Sequence, residues 1–298
     1  MSEAHPTQIF GLIGYPVSHS LSPAMHNAAF KHLEINAKYR LFPIKPEKLE
    51  AFFSGDINVQ DIDGKDVRAK DIAGFNVTIP YKEIVLKYLQ WKSPGVRFTG
   101  AVNVVVVKNR NYLKGYNTDG IGFSHHLTKD LKFIPLNKKV IILGAGGAAK
   151  AVTDQLARKR VKTIVIYDID KDKSLKLANR IKEAFPKCNA LSVNSIKVLD
   201  IKNTDLLINA TPIGMKASDP CLINPDKLHS GILVYDLIYN PPETNLLRFA
   251  KQRGAAASNG LGMLLYQGAR SFELWIERRA PIEVMRKALQ QELTRCKT

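Results

Sequence analysis

Apolar residues in this chain gather in short runs of four to six, separated by stretches in which they recur every third or fourth position. That is the pattern of buried strands alternating with helices. Ile9 to Ile13 reads as a strand. Ser22-Pro23 reads as an N-cap with proline at the first helical position, opening a helix with Met25, Ala28, Ala29 and Leu33 on one face. Gly74 to Ile79 predicts a buried strand, Pro80 to Leu89 a helix, and Ala101 to Val107 a strand that Lys108 to Asn111 turns into Tyr112 to Tyr116. A second series opens with a strand from Lys139 to Leu143, a glycine turn, a helix to about Lys159 and a strand from Thr163 to Tyr167. Asp205 to Asn209, Ile232 to Leu237 and Ala255 to Ser258 read as further strands with helices between them, and from Leu261 the pattern is helical.

This alternation predicts an α/β fold of two domains. Residues 1–120 would form an N-terminal α/β substrate domain and residues 121–261 a Rossmann-type, doubly wound dinucleotide-binding domain, with C-terminal helices from about 262 to 298 packing back on the first and a cleft between the halves. A length of 298 residues suffices for two hydrophobic cores. The net charge of +17 admits nucleic acid or an anionic surface as partner, but the lysines are spread along the chain rather than gathered in a stripe. A solvated basic surface with some attraction for anionic small molecules is expected, and no nucleic-acid or membrane partner. No apolar run approaches the length of a membrane span, and the first ten residues lack the pattern of an export signal. Cys188, Cys221 and Cys296 form no CxxC pair, which argues against a disulfide framework or thiolate metal site and for a reducing cytoplasm. His19 and His26 have no acidic or cysteine cluster beside them, so they read as structural and no metal is expected.

The chemistry begins at KKVIILGAGGAAKAV, where a buried strand precedes Gly144-Ala145-Gly146-Gly147-Ala148-Ala149 and a helix follows. Small residues let the backbone turn tightly and approach a pyrophosphate, whose charge the helix N-terminus stabilises. Asp168, at the end of the next strand, is placed to accept the ribose hydroxyls of NAD and to repel the 2'-phosphate of NADP. Asp170 adds to that repulsion while Lys171 and Lys173 offset part of it, so NAD is favoured and NADP stays open.

Four first-half segments, GYPVSHSLSPAMHN, GFNVTIPYK, GAVNVVVV and GYNTDGIG, are hard to explain by packing. Together with GAGGAA, NATPIGM and the long segment from Tyr235 to Trp275 they resemble the shikimate and quinate dehydrogenases, in order and over most of the chain. The resemblance implies reversible nicotinamide-dependent oxidation of shikimate to 3-dehydroshikimate, in the chorismate route to aromatic amino acids, by a monomer or homodimer. It assigns Ser20 and Ser22 to the substrate carboxylate, Thr78 and Asn103 to its hydroxyls, and Lys82 and Asp119 to the catalytic pair that handles the hydroxyl proton. Tyr239 and Gln267 match positions facing the substrate, and Asn209, Thr211, Gly260 and Met263 match the nicotinamide end.

Two positions depart from the family pattern. Val104 stands where threonine is usual, and Asp168-Ile169-Asp170 replaces the basic pair that binds a 2'-phosphate. The second change points toward NAD-dependent quinate and shikimate oxidation in quinate catabolism as the alternative, although the paired serines favour shikimate. A cofactor-binding sensor without chemistry is the alternative from another class, against which Lys82 and Asp119 both stand.

Overall fold

A computed structural model describes residues 6–109 and 111–295, so Cys296 and the Arg110 of the predicted turn lie outside it. The chain divides into two compact units, the first formed by residues 1–118 and 265–298, the second by residues 119–264.

In the first unit, β1 (Gln8–Gly14) leads into α1 (Ser22–His32), β2 (Ala37–Pro43), α2 (Leu49–Ser54) and a small antiparallel ribbon of β3 (Asn58–Gln60) and β4 (Asp66–Arg68). β5 (Ile72–Val77), β6 (Trp91–Lys92), α3 (Pro94–Thr99), β7 (Val104–Lys108) and β8 (Tyr112–Tyr116) follow. The six-stranded sheet runs in the order β2-β1-β5-β7-β8-β6, with β7 antiparallel to both β5 and β8. One layer of the core gathers Phe42, Leu49, Phe52, Phe75, Tyr81 and Val105. Another is aromatic: Phe10 lies 5.5 Å from Phe30 and 5.3 Å from Trp275, whose indole N–H donates to the Val105 carbonyl at 3.0 Å.

The second unit begins with α4 (Asp119–His125), which runs into a π-helical turn, His126–Asp130. β9 (Lys139–Leu143), α5 (Gly147–Arg158), β10 (Thr163–Tyr167), α6 (Lys171–Ala184), β11 (Asn189–Val193), β12 (Leu206–Asn209), β13 (Leu233–Asp236), α7 (Asn245–Gln252) and β14 (Ala256–Ser258) complete its regular elements. The strand order is β11-β10-β9-β12-β13-β14, all parallel, the doubly wound order of a dinucleotide-binding sheet. Val140 to Leu143 and Leu206 to Ile208 are fully buried, as strands covered on both faces must be. α8 (Leu261–Ile276) is divided between the units at Leu264, and α9 (Ile282–Arg295) packs on α1 in the first.

Two local expectations are corrected. Ser22 is not the N-cap of α1: that position is Leu21, with no side-chain cap, and Ser22 is the first helical residue. The segment from Pro80 to Leu89 is no α-helix but a turn followed by a 3-10 run, Ile84–Tyr88. The Lys82 carbonyl, which an α-helix would offer to Leu86, accepts instead from Val102 N–H at 2.8 Å, while Leu86 N–H bonds Glu83. Tyr81 and Val85 are buried at the spacing that suggested a helix, Tyr81 being pinned by its hydroxyl to the Ile44 carbonyl at 2.6 Å.

Candidate active site

In the first unit one edge of the sheet collects polar residues because parallel and antiparallel strands present opposite termini there. Ser20 and Ser22 follow β1, Thr78 and Lys82 follow β5, Asn103 precedes β7 and Thr118 follows β8. Gly14 has no room for a side chain because Thr78 lies against it, which lets β1 and the loop after β5 close up; Thr78 N–H bonds the Ile13 carbonyl at 3.0 Å. Ser20 Oγ accepts from the Ser22 amide at 3.3 Å.

Beneath these residues runs a buried hydrogen-bonded chain. Ser22 bonds the Tyr39 hydroxyl, which donates to Asn76 Oδ1 at 2.8 Å. Asn76 Nδ2 donates to the Asn103 carbonyl and to Ser271 Oγ, both at 3.0 Å, and Ser271 in turn donates to the Gln267 carbonyl at 2.9 Å. Asn103 Nδ2 reaches Thr118 Oγ1 at 3.0 Å and Gln267 Oε1 at 3.2 Å, while its Oδ1 accepts from Thr118 N–H at 2.8 Å. Buried amides and hydroxyls linked this way have fixed orientations, because any rotation would leave a desolvated group unpaired. Ser22, Asn103 and Gln267, chosen from sequence, are therefore tied together, and Asn76, Tyr39 and Ser271 are the residues sequence reading passed over. An asparagine inside the apolar run of GFNVTIP was the available signal, since a buried amide needs partners.

In the second unit the glycine turn has the geometry its composition predicts. Gly144 adopts φ +104°, and a Cβ there would lie 2.8 Å from the Ala210 carbonyl oxygen. Gly146 is the N-cap of α5 and has open space where a side chain would be, as close backbone approach to a ligand requires. Gly147 and Ala148 open α5, whose third residue, Ala149, is buried. Ala145 N–H donates to Asp168 Oδ2 at 2.6 Å and Asp170 N–H to Asp168 Oδ1 at 2.8 Å. Asp168 therefore holds the turn with one lone pair of each oxygen and keeps the others. Asp170 caps α6 through the Asp172 and Lys173 amides, and the Lys173 amide and ammonium keep its carboxyl below the usual range.

Asn209 is wholly buried at the end of β12, with Nδ2 donating to Asp236 Oδ1 and the Ile213 carbonyl, both at 3.0 Å, and Oδ1 accepting from the Thr211 amide and hydroxyl. Its side chain shapes the loop that carries Thr211. Asp236, fully buried, accepts from Thr244 Oγ1 at 2.7 Å and from Ile238 N–H; burial outweighs these bonds and raises its carboxyl above the usual range. Gly260 is pressed against the Leu237 carbonyl, and its amide donates to Ile238 at 3.0 Å. Met263 is buried in the first turn of α8, and burial raises the hydroxyl pKa of Tyr239. Asp119, almost wholly buried, begins α4 in this unit, whereas half-buried Lys82 belongs to the other.

Among the described residues, no helix is long and apolar enough to cross a membrane. Residues 12–105 match the shikimate dehydrogenase substrate binding domain, residues 129–225 the shikimate / quinate 5-dehydrogenase family, and residues 260–290 the shikimate 5'-dehydrogenase C-terminal domain. The chain is 42% identical to a protein of Methanopyrus kandleri named shikimate dehydrogenase (NADP(+)), over 96% of each chain. Among solved structures it resembles a shikimate dehydrogenase in complex with NADP+ (TM-score 0.86, 39% identity, 96% of each chain). It also resembles a Listeria monocytogenes shikimate 5-dehydrogenase in complex with shikimate and NAD (TM-score 0.82, 35% identity, 95% of this chain and 96% of that one).

Proposed function

The chain belongs to the shikimate dehydrogenase family, and from that premise we propose that it catalyses the reversible oxidation of shikimate to 3-dehydroshikimate with a nicotinamide cofactor. The observation that carries this reading is the buried chain from Ser22 through Asn76 to Asn103 and Gln267, which fixes hydroxyl and amide groups at one sheet edge. A small acid with several hydroxyls needs such a mixed set of donors and acceptors, held in place before it arrives.

Ser20 and Ser22 bind the carboxylate; Thr78, Asn103 and Gln267 bind ring hydroxyls, and Tyr239 completes the substrate set. Oxidation of the alcohol requires its O–H proton to leave as the C–H bond breaks. Lys82 and Asp119 hold and move that proton, the ammonium also stabilising the developing alkoxide. The bound nicotinamide supplies the hydride acceptor. The turn from Gly144 to Ala148 holds the pyrophosphate, and Thr211, Gly260 and Met263 border the nicotinamide, with Asn209 acting through the Thr211 loop.

For the adenosine end the reading is NAD before NADP. Asp168 keeps one lone pair on each oxygen for ribose hydroxyls and places a negative charge where a 2'-phosphate would stand. The test is a steady-state matrix of shikimate and quinate against NAD and NADP, for the native protein and Asp168→Asn, which keeps an acceptor for the turn while losing the charge. Shikimate should exceed quinate in kcat/KM, NAD should exceed NADP, and Asp168→Asn should raise kcat/KM for NADP by about tenfold. An unchanged cofactor ratio in the variant would refute the ribose role of Asp168.

A further inference from the structure

Tyr235 and His126 are buried, titratable, and used by nothing above. Tyr235 lies at the centre of β13, with its ring edge-on to Phe123 at 5.0 Å. Its hydroxyl meets His126 Nδ1 at 2.6 Å and also accepts the backbone N–H of Met263. Met263 is the third residue of α8, so that N–H is one of the amides a helix N-terminus leaves without an internal partner. The neighbouring Asn259 Oδ1 takes the Leu261 amide at 3.1 Å. The His126 ring rests directly on Gly262, where a side chain would overlap it, so the imidazole packs on the helix backbone itself. The phenol oxygen thus holds the Met263 amide and His126 Nδ1 together, with the direction of the second bond set by the imidazole tautomer.

From this geometry we infer that the His126–Tyr235 pair is a positioning device for hydride transfer: it fixes the height and direction of the first turn of α8, and with it Met263, against the nicotinamide. The inference rests on the assignment of Gly260 and Met263 to the nicotinamide end. Gly260 is already clamped to Leu237 and Ile238 on one side, so the phenol completes a two-sided clamp on four consecutive residues. Hydride transfer is sensitive to displacements of this size, since an error of about 1 Å can cost about a hundredfold in rate. Removing the phenol hydroxyl takes a partner from the Met263 amide and from His126 Nδ1 together while the ring still packs on Phe123. Neither residue touches the reacting atoms in this scheme; both act through the α8 backbone.

The test compares Tyr235→Phe, His126→Leu and His126→Asn with the native enzyme in kcat, both KM values, thermal midpoint and the primary isotope effect with shikimate deuterated at the oxidised carbon. Asparagine returns a polar atom near the position of Nδ1. Tyr235→Phe and His126→Leu should lower kcat by about ten- to a hundredfold and raise the isotope effect on kcat, with the shikimate KM within about twofold. His126→Asn should recover most of the rate. If both variants keep kcat within about twofold and lose only thermal stability, the pair is structural and the inference is overturned; should Tyr235→Phe fail to fold, the two His126 variants decide alone. A native protein that quenches neither NADH nor NADPH fluorescence would instead defeat the assignment of the nicotinamide end, whatever the variants do.

Discussion

His26 lies with its imidazole stacked on Tyr39 at 4.4 Å and tilted against Trp275 at 5.4 Å, wholly buried, and neither ring nitrogen has a hydrogen-bond partner among the described residues. Burial disfavours the charged ring and holds its pKa at about 3, against 6.5 for an exposed histidine. Between these two values the unfolded chain binds a proton that the folded chain refuses, so stability is retained above pH 6.5 and is lost as the pH falls toward 3. His26 alone should cost about 1.4 kcal/mol per pH unit within that window. Denaturant midpoints from neutral pH down to pH about 4.5 should therefore fall more steeply for the native chain than for His26→Leu; parallel curves would show that the ring is charged or hydrated in the folded protein. The same requirement that buried polar groups be paired or neutral explains Asn76, Asn209 and Asp236, each held by partners from other elements.

At the level of elements, glycine marks where backbones touch. Gly120 in α4 faces the backbone of α5, and a Cβ there would lie 2.5 Å from the Ala151 carbonyl oxygen. Gly120→Ala should destabilise the protein by about 1–3 kcal/mol through this contact, measured as a lower urea midpoint at unchanged m. Full retention of the midpoint would show that α4 shifts freely. The strands of the second unit were readable because β9, β10 and β12 are apolar runs bounded by turn residues, and their predicted ends fall within a residue of the observed ones. β11 was missed because it is an edge strand, with Asn189 and Leu191 exposed, and its five residues carry no continuous apolar signal. β6 is two residues long and has no pattern to find. The helix expected after Pro80 failed for a tertiary reason, the capture of the Lys82 carbonyl by Val102, which no local spacing announces. The glycine-marked turns were legible from composition; the buried links of Asn76, Tyr39 and Ser271 were not, because their partnerships join segments up to 195 residues apart.

For the whole molecule, one unit holds a doubly wound sheet with a glycine turn and the other a mixed sheet with a buried polar chain. The net charge of +17 suits anionic reactants but does not identify them. We propose that these parts perform shikimate oxidation with Lys82 in the proton path. The most direct test is shikimate-dependent reduction of NAD and NADP, followed by nicotinamide absorbance, for the native enzyme and Lys82→Ala. The native protein should turn over with at least one cofactor, and the variant should lose about a hundredfold or more in kcat with a near-native thermal midpoint. No reduction of either cofactor by the native protein, or full activity in Lys82→Ala, would contradict it.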